Sequence, residues 1–500
     1  MAVSPRSISL GQLAAATGGH VIGDPEILIT GLSYDSRHVS PGTLFAALRG
    51  SAADGHRFVS DAVQCGAVAL LTEEEAALPV GSIVVPETRT ALARAAAEFY
   101  GHPSRELSVV GITGTDGKTT TSFLASAILD AAGFRTGLIG TTGVRIAGQG
   151  VPNGGRQTTP ESTDVHGYLR MMVEHQVEFA IIEATSHGLA MHRLDEVQFQ
   201  IGAVTNITHE HLEYHGTIDS YRRAKAILFE RVGRVGGVSV INADDRGAMA
   251  MAPYAQGSNR VLTYSREGKP VDLSASHVVT GLTGTRFHLH VAHDWERVVT
   301  MPLLGAFNVE NALCALGISL AAGVEVDAGV ESLRTAPAVP GRMALVDEGQ
   351  PFSVVVDYAH TPESLSKVLA LLRSLAVAGR LLVVFGSAGE RDIEKRALQG
   401  AVAARLADVS YFTNEDPRHE DPDYIIRQIA RGAMGAGATE GEHFFRITDR
   451  REAIGAAFRA ARPGDCVLLA GKGHERSIIV GDQKLDWDEQ AIARELLKGM

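Results

Sequence analysis

The stretch VVGITGTDGKTTTSF (109–123) decides how the rest of the chain is read. A β-branched run gives way to a glycine-rich turn, and Lys118-Thr119 then opens a helical pattern. Strand, glycine turn and helix is the arrangement in which backbone N–H groups curl around phosphate oxygens and the positive helix end adds to them. Gly114 and Gly117 permit the curl, Lys118 can span the β- and γ-phosphates, and Thr119 can place a hydroxyl on Mg²⁺. The strict P-loop pattern asks for a glycine five residues before Gly117, where Ile112 stands, so this loop is a variant. An ordinary strand-to-helix turn would explain the glycines but not Lys-Thr-Thr at the helix start. Binding of a nucleoside triphosphate is therefore expected.

Outward from that loop, short apolar runs alternate with helical patterns. SVVGIT (108–113), FAIIEA (179–184) and GAVTNI (202–207) read as buried strands, and helices are predicted over about 118–132 and 308–322. Between about 272 and 302, alternation such as RFHLHV suggests an antiparallel excursion. After VPGRM (339–343) the pattern restarts: SVVVDYA, LLVVFGS, VSYFTN and CVLLAG alternate with ESLSKVLALLRSLA and EKRALQGAVAARLA. Repeated βα units imply mostly parallel, doubly wound sheets. The first hundred residues form a smaller α/β block closed by helical ALARAAAEFYGHP. The expected division is 1–104, 105–337 and 338–500.

Composition agrees with an ordinary globular enzyme. The 500 residues exceed one hydrophobic core, so roughly two to four domains are expected. A net charge of −12 disfavours non-specific contact with nucleic acid or an acidic membrane. No stretch approaches the ~20 apolar residues of a membrane span, and the N-terminus lacks a basic segment followed by an apolar run. Cys65, Cys314 and Cys466 share no metal-type spacing, which fits a reducing, cytoplasmic compartment.

Other groups stand where a metal and an acceptor belong. Glu183 ends a strand, at the edge where open α/β sheets place their sites. THEHLEYHG (208–216) carries His209, His211 and His215, but Glu213 occupies the second histidine position of HExxH, which argues against a zinc site. Lys225, on the amphipathic pattern SYRRAKAILFE, reads by itself as a solvated helix lysine.

The set GTDGKTT, EATSHGL, TNITHEHLEYHGT, YRRAK, GAFNVENALCA, VPGRM, DYAHTP, GSAGERD and GKGHE, in that order over residues 111–475, resembles the Mur ligase superfamily. DSR (35–37) and FAALRG extend the likeness, and DSR, SHGL, the NEDPR region and GKGHE point to its MurE type, which adds the third residue of the peptidoglycan stem peptide. The resemblance implies three α/β domains: a small N-terminal one for a UDP-sugar, a central P-loop ATPase, and a Rossmann-like C-terminal one for the incoming amino acid. It assigns Gly114, Thr115, Asp116, Gly117, Lys118, Thr119, Thr120, Asn308, Asn311, Arg342 and Asp357 to ATP. Ser36, Ser51, Ala52, Ala53, Thr158, Thr159, Thr185 and Arg193 fall to UDP-MurNAc-L-Ala-D-Glu, while Met191 stands where many relatives have glutamine. Glu183 and His209 or His211, with His211 the better match, fall beside Thr119 on the Mg²⁺ side. Lys225 matches a lysine that CO₂ converts to a carbamate, an anionic metal ligand (N6-carboxylysine).

By the same likeness, Lys118, Glu183, His211 and Lys225 are catalytic, ATP activates a carboxylate as an acyl phosphate, and an amine displaces phosphate. Closure of the C-terminal domain at VPGR is expected to exclude water. Arg391, Glu415, Asp416, Pro417, Arg418, Gly471 and Glu475 are implied to hold the amino acid. In diaminopimelate-adding relatives the loop reads DNPR, and its arginine grips the distal carboxylate; here it reads EDPR. An anion at Asp416 would attract an amine and repel a carboxylate. Because Arg418 otherwise has no obvious partner, meso-diaminopimelate is the expected substrate. L-Lysine or L-ornithine is the alternative, with Arg418 tied up by Asp416 or Glu420. Rival readings are a folylpolyglutamate synthetase, the ligase adding D-Ala-D-Ala, and a P-loop NTPase switch. A cytoplasmic monomer with no nucleic-acid or membrane partner completes the expectation.

Overall fold

The structure is a computed structural model that describes residues 4, 6–50, 53–75, 79–151, 157–208, 212–291, 295–336, 338–375 and 379–500, with only the backbone at 212 and 213. Ser51, Ala52, His209 and His211 lie outside the described residues. Two compact units emerge: Met1–Ser276 with Leu289–Arg297 and Glu310–Leu333, and Arg334–Met500 with His277–His288 and Val298–Val309.

In the first unit a five-stranded sheet runs in the order His20–Ile22, Gly81–Val84, Ala67–Thr72, Thr43–Ala46, Gly31–Ser33. Helices Leu10–Thr17 and Thr88–Phe99 bury Leu10, Leu13, Leu92 and Phe99 with Ile83 and Leu71 from that sheet. A larger sheet follows, in which Thr136–Gly140, Phe179–Glu183, Ser108–Thr113, Ile201–Val204, Val238–Asn242 and Arg260–Ser265 lie side by side, all parallel. The antiparallel pair Gly143–Ile146 and Gln149–Val151 closes one edge. At the other, Leu273 and Ser274 pair in parallel with Tyr264 and Ser265. The strand that feeds the glycine loop is central, and register pairs Ile112 with Glu183 and Thr113 with Val204. Glu183, the loop and Thr205 therefore emerge together at the carboxyl edge.

The second unit holds a six-stranded sheet, Ala344–Val346, Ser353–Asp357, Cys466–Ala470, Leu381–Phe385, Val409–Phe412, Phe444–Arg446, parallel except for its first strand. Alternate residues feed opposite faces: Val355, Leu381, Val383 and Leu468 pack on one side, and Val354, Leu382, Val384 and Leu469 on the other. Both faces are covered, which is why these strands read as continuous apolar runs.

Beneath the carboxyl edge of that sheet, Arg450 and Glu489 form a fully buried ion pair at 2.6 Å. Arg450 also donates to the carbonyls of Ala470 (2.8 Å) and Asn414 (3.2 Å), tying two strand ends together. Replacing Arg450 by methionine leaves the Glu489 carboxylate buried and unpaired. A loss of about 3–5 kcal/mol of stability is expected in urea unfolding of the variant.

Candidate active site

In the first unit the helix Lys118–Ala131 begins at Gly117, whose φ of 84° lies in the left-handed region and which supplies no side-chain cap. The N–H groups of the first turn are thus left for an anion. Partners from far along the chain hold the loop in shape. Thr115 N–H donates to the Asn206 carbonyl (2.8 Å), Asp116 N–H to Asn206 Oδ1 (2.9 Å), and the Thr205 hydroxyl to the Asp116 carbonyl (2.6 Å). Lys118 Nζ donates to the carbonyls of Gly114 (3.0 Å) and Thr115 (2.8 Å). Thr120 is buried, and Thr121 Oγ1 lies 3.5 Å from Asn311 Oδ1. A Cβ at Gly117 would stand 2.3 Å from that same Oδ1. With the left-handed backbone added, Gly117→Ala is expected to weaken nucleotide binding about tenfold or more, read by titration with a fluorescent ADP analogue.

Glu183 is the hub of the adjoining cluster and is 2% exposed. Its Oε2 accepts the hydroxyls of Thr119 and Thr141, each at 2.9 Å, and its Oε1 accepts the Thr141 N–H at 3.0 Å. The Thr159 hydroxyl donates to the Glu183 carbonyl (2.7 Å) and lies 2.8 Å from the Thr185 hydroxyl, while Thr158 Oγ1 is 3.1 Å from Thr141 Oγ1. Arg193, nearly buried, donates to the Thr159 carbonyl (3.1 Å) and to Met191 Sδ (3.3 Å), and Glu161 lies 3.0 Å from its Nε. The Nε–H points off that line, so the contact is an ion pair and not a hydrogen bond. Met191 thus takes a place beside the arginine, where many relatives were expected to have glutamine. Thr158, Thr159, Thr185, Arg193 and Glu183 are one connected network.

Lys225, on the helix Ile218–Arg234 capped by Thr217, is 1% exposed and not solvated, which corrects the reading of its helix pattern by itself. Its Nζ donates to the Gly114 carbonyl at 2.7 Å and lies 4.5 Å over the Tyr221 ring. Two lysines, 118 and 225, therefore converge on one carbonyl. Tyr221 in turn meets Thr115 Oγ1 at 3.1 Å. Ser36 begins a 3-10 turn capped by the Asp35 carboxylate, which Arg37 holds well down, to about 2. Ala53 is exposed, and its carbonyl accepts the Gly50 N–H.

In the second unit Asp357 accepts the N–H groups of Met343 and Ala359, both at 2.8 Å, and its burial pushes the carboxyl above its ordinary range. The Arg342 guanidinium lies 5.7 Å over the Tyr358 ring. Asn308 is buried and donates to the Leu304 carbonyl (2.8 Å). Strands ending at Phe385, Phe412 and Ala470 bring the three expected amino-acid loops together. Asp416 Oδ1 accepts from Lys472 Nζ (2.9 Å) and from the Ile479 N–H (2.9 Å), and Lys472 also reaches Glu475 Oε2 (2.6 Å). Glu415 is buried, its carboxyl is raised by that burial, and its Oε2 has no hydrogen-bond partner among the described residues. Gly471, at φ 101°, lets this oxygen approach: a Cβ there would sit 2.6 Å from it. Pro417 offers its carbonyl to the Glu420 N–H, and Arg391 is exposed.

Arg418 has a left-handed backbone, φ 54°, pinned by its N–H to the Ile479 carbonyl (3.0 Å) and by its carbonyl to the Gly481 N–H (2.7 Å). Neither acid expected to neutralise it does so: Asp416 is held by Lys472, and Glu420 clasps the buried Arg396 at 2.8 and 2.9 Å. Among the described residues, the carboxylate within ion-pair distance of Arg418 is Glu390, at 4.0 Å, which His419 also binds at 2.8 Å. Thr141, Thr205, Asn206, Arg396 and Lys472 were not singled out from the sequence; only TNIT and GKGHE, motifs already noted, contained a signal for three of them.

Residues 28–106 match "Mur ligase family, catalytic domain", 112–319 "Mur ligase middle domain", and 341–473 "Mur ligase, glutamate ligase domain". A UDP-N-acetylmuramyl-tripeptide synthetase of Roseiflexus sp. is 45% identical over 95% of both chains. The chain belongs to the Mur ligase family. It is therefore an ATP-dependent ligase of peptidoglycan precursor synthesis, with the α/β architecture in three family domains that the sequence implied. A UDP-N-acetylmuramoyl-L-alanyl-D-glutamate–2,6-diaminopimelate ligase of Geobacillus thermodenitrificans is 40% identical over 96% of each chain. A solved structure of an enzyme with that same name aligns over 99% of both chains at 31% identity and a TM-score of 0.68. MurF from Thermotoga maritima in complex with ADP shares the fold at 20% identity and a TM-score of 0.59, covering 94% of this chain and 96% of that one. No helix among the described residues is long and apolar enough to cross a membrane.

Proposed function

We propose that this ligase joins meso-2,6-diaminopimelate to UDP-MurNAc-L-Ala-D-Glu, forming the UDP-tripeptide, ADP and phosphate. The observation that carries the choice of amino acid is the commitment of Asp416 to Lys472 and of Glu420 to Arg396, which leaves the Arg418 guanidinium with a loose contact to Glu390. A planar guanidinium held this way suits a distal carboxylate, which it can bind through two parallel hydrogen bonds. Glu415, buried with an unpartnered oxygen, and Glu475 suit the ammonium at the same end of the molecule.

In the reaction the loop and Lys118 hold the ATP phosphates, and the substrate carboxylate attacks the γ-phosphorus, so that ADP leaves and an acyl phosphate forms. The amine then adds to the acyl carbon, loses a proton, and expels inorganic phosphate. Positioning and charge neutralisation account for most of such catalysis. Thr119 and Glu183 are hard oxygen donors already in contact, a set suited to Mg²⁺, which when bound would neutralise phosphate charge. Lys225 as a carbamate would add a further anionic oxygen. His211 is retained as a candidate base. The Thr158, Thr159, Thr185 and Arg193 network is assigned to the UDP-MurNAc-dipeptide, as are Ser36 and the 51–53 stretch. A cytoplasmic monomer is the working state.

The test is phosphate release from ATP and the UDP-dipeptide with meso-diaminopimelate, L-lysine or L-ornithine, and product mass to identify the tripeptide. Diaminopimelate is expected to be used best by a wide margin. Preference for lysine or ornithine overturns the assigned amino acid, and turnover independent of any amine overturns the ligase reaction itself.

A further inference from the structure

The buried Lys472 is the most heavily committed group in the amino-acid loops and carries none of the roles above. Its side chain is 0% exposed and bridges two carboxylates, Asp416 at 2.9 Å and Glu475 at 2.6 Å. Asp416 is bound at the same oxygen by the Ile479 N–H, and the Arg418 backbone is pinned to the carbonyl of that same residue. The charge of position 416 and the placement of Arg418 thus meet at one short segment, 477–480.

We infer that Lys472 is a specificity-positioning residue: by neutralising Asp416 it lets the loop accept an amino acid bearing a distal carboxylate. Without it, Asp416 is an uncompensated anion two residues from Arg418 and competes with the substrate for that guanidinium. The electrostatics of the loop then favour a diamine end, such as that of lysine. Lys472 touches no substrate in this scheme: its discrimination acts through Asp416, while its second partner, Glu475, is assigned to an ammonium that diaminopimelate and lysine both carry. The inference rests on the assignment of Arg418 to a substrate carboxylate.

Four full-length proteins test it: the wild type, Lys472→Met, Asp416→Asn, and the double variant. Asparagine at 416 keeps an oxygen for the Ile479 N–H and removes the charge, so the balance over Lys472, Asp416 and Glu475 runs from zero in Asp416→Asn, through −1 in the wild type and the double variant, to −2 in Lys472→Met. The readout is the ratio of kcat/KM for diaminopimelate to that for lysine. Lys472→Met is expected to lower the ratio about tenfold or more through the amino-acid KM, with the KM of ATP unchanged, and Asp416→Asn is expected to restore it. Equal losses for both amino acids, or no restoration in the double variant, overturn the inference. Should Lys472→Met fail to fold, Asp416→Asn by itself decides: its ratio must equal or exceed that of the wild type, and a fall overturns the scheme. A wild type that prefers lysine sinks the assignment of Arg418 separately, because the order of the four ratios still reports the charge balance.

Discussion

Lys225→Ala is expected to lower ADP formation about a thousandfold. The lysine is buried, and its Nζ shares the Gly114 carbonyl with Lys118, so two like charges meet beside the proposed phosphate site. The proposed carbamylation would remove that repulsion by turning one cation into an anion whose oxygens could serve a metal. A second variant separates this role from mere support of the loop. Lys225→Gln keeps an N–H donor for the Gly114 carbonyl but cannot take up CO₂. Both variants are expected to be inactive and to melt close to the wild type. A carbamate resonance should appear in ¹³C NMR after exposure of the wild type to labelled bicarbonate and be missing from either variant. Retention of activity by Lys225→Gln within about tenfold would reduce Lys225 to a prop for the loop.

The limits of the sequence are visible at particular residues. The strand 108–113 and its helix were legible because local pattern determines them: both faces of the strand are covered, and glycine must stand where φ is 84°. GAVTNI was read as strand through residue 207, yet the strand stops at Val204. Thr205 and Asn206 leave it to hold the glycine loop, a partnership spanning about ninety residues that no local pattern encodes. The Lys225 helix extends past the amphipathic stretch at both ends, with Thr217 capping its start, and its burial follows from the parallel strands it covers. The EDPR loop shows the same limit more sharply. Read alone, Asp416 is an anion beside an arginine; the compensating lysine lies 56 residues away and follows strand Cys466–Ala470, which is parallel to Val409–Phe412 across the intervening Leu381–Phe385. Ser51, Ala52, His209 and His211 remain assignments by family likeness, outside the described residues.

Arg418→Ala is expected to cut kcat/KM for meso-diaminopimelate about a hundredfold or more and to leave the low rate with lysine nearly unchanged. The loss should fall on the KM of the amino acid, because the guanidinium grips a carboxylate remote from the reacting amine, in ground and transition states alike. Arg418→Lys separates charge from geometry: an ammonium keeps the attraction but loses the paired hydrogen bonds, so an intermediate KM is expected. Folding is little disturbed, since the ion pair of the guanidinium among the described residues is the 4.0 Å contact with Glu390 and the loop is held by backbone bonds. Equal losses for diaminopimelate and lysine would place Arg418 in the framework of the loop. Arg391, exposed and next in sequence to Glu390, would then be the next arginine to test as the carboxylate clamp.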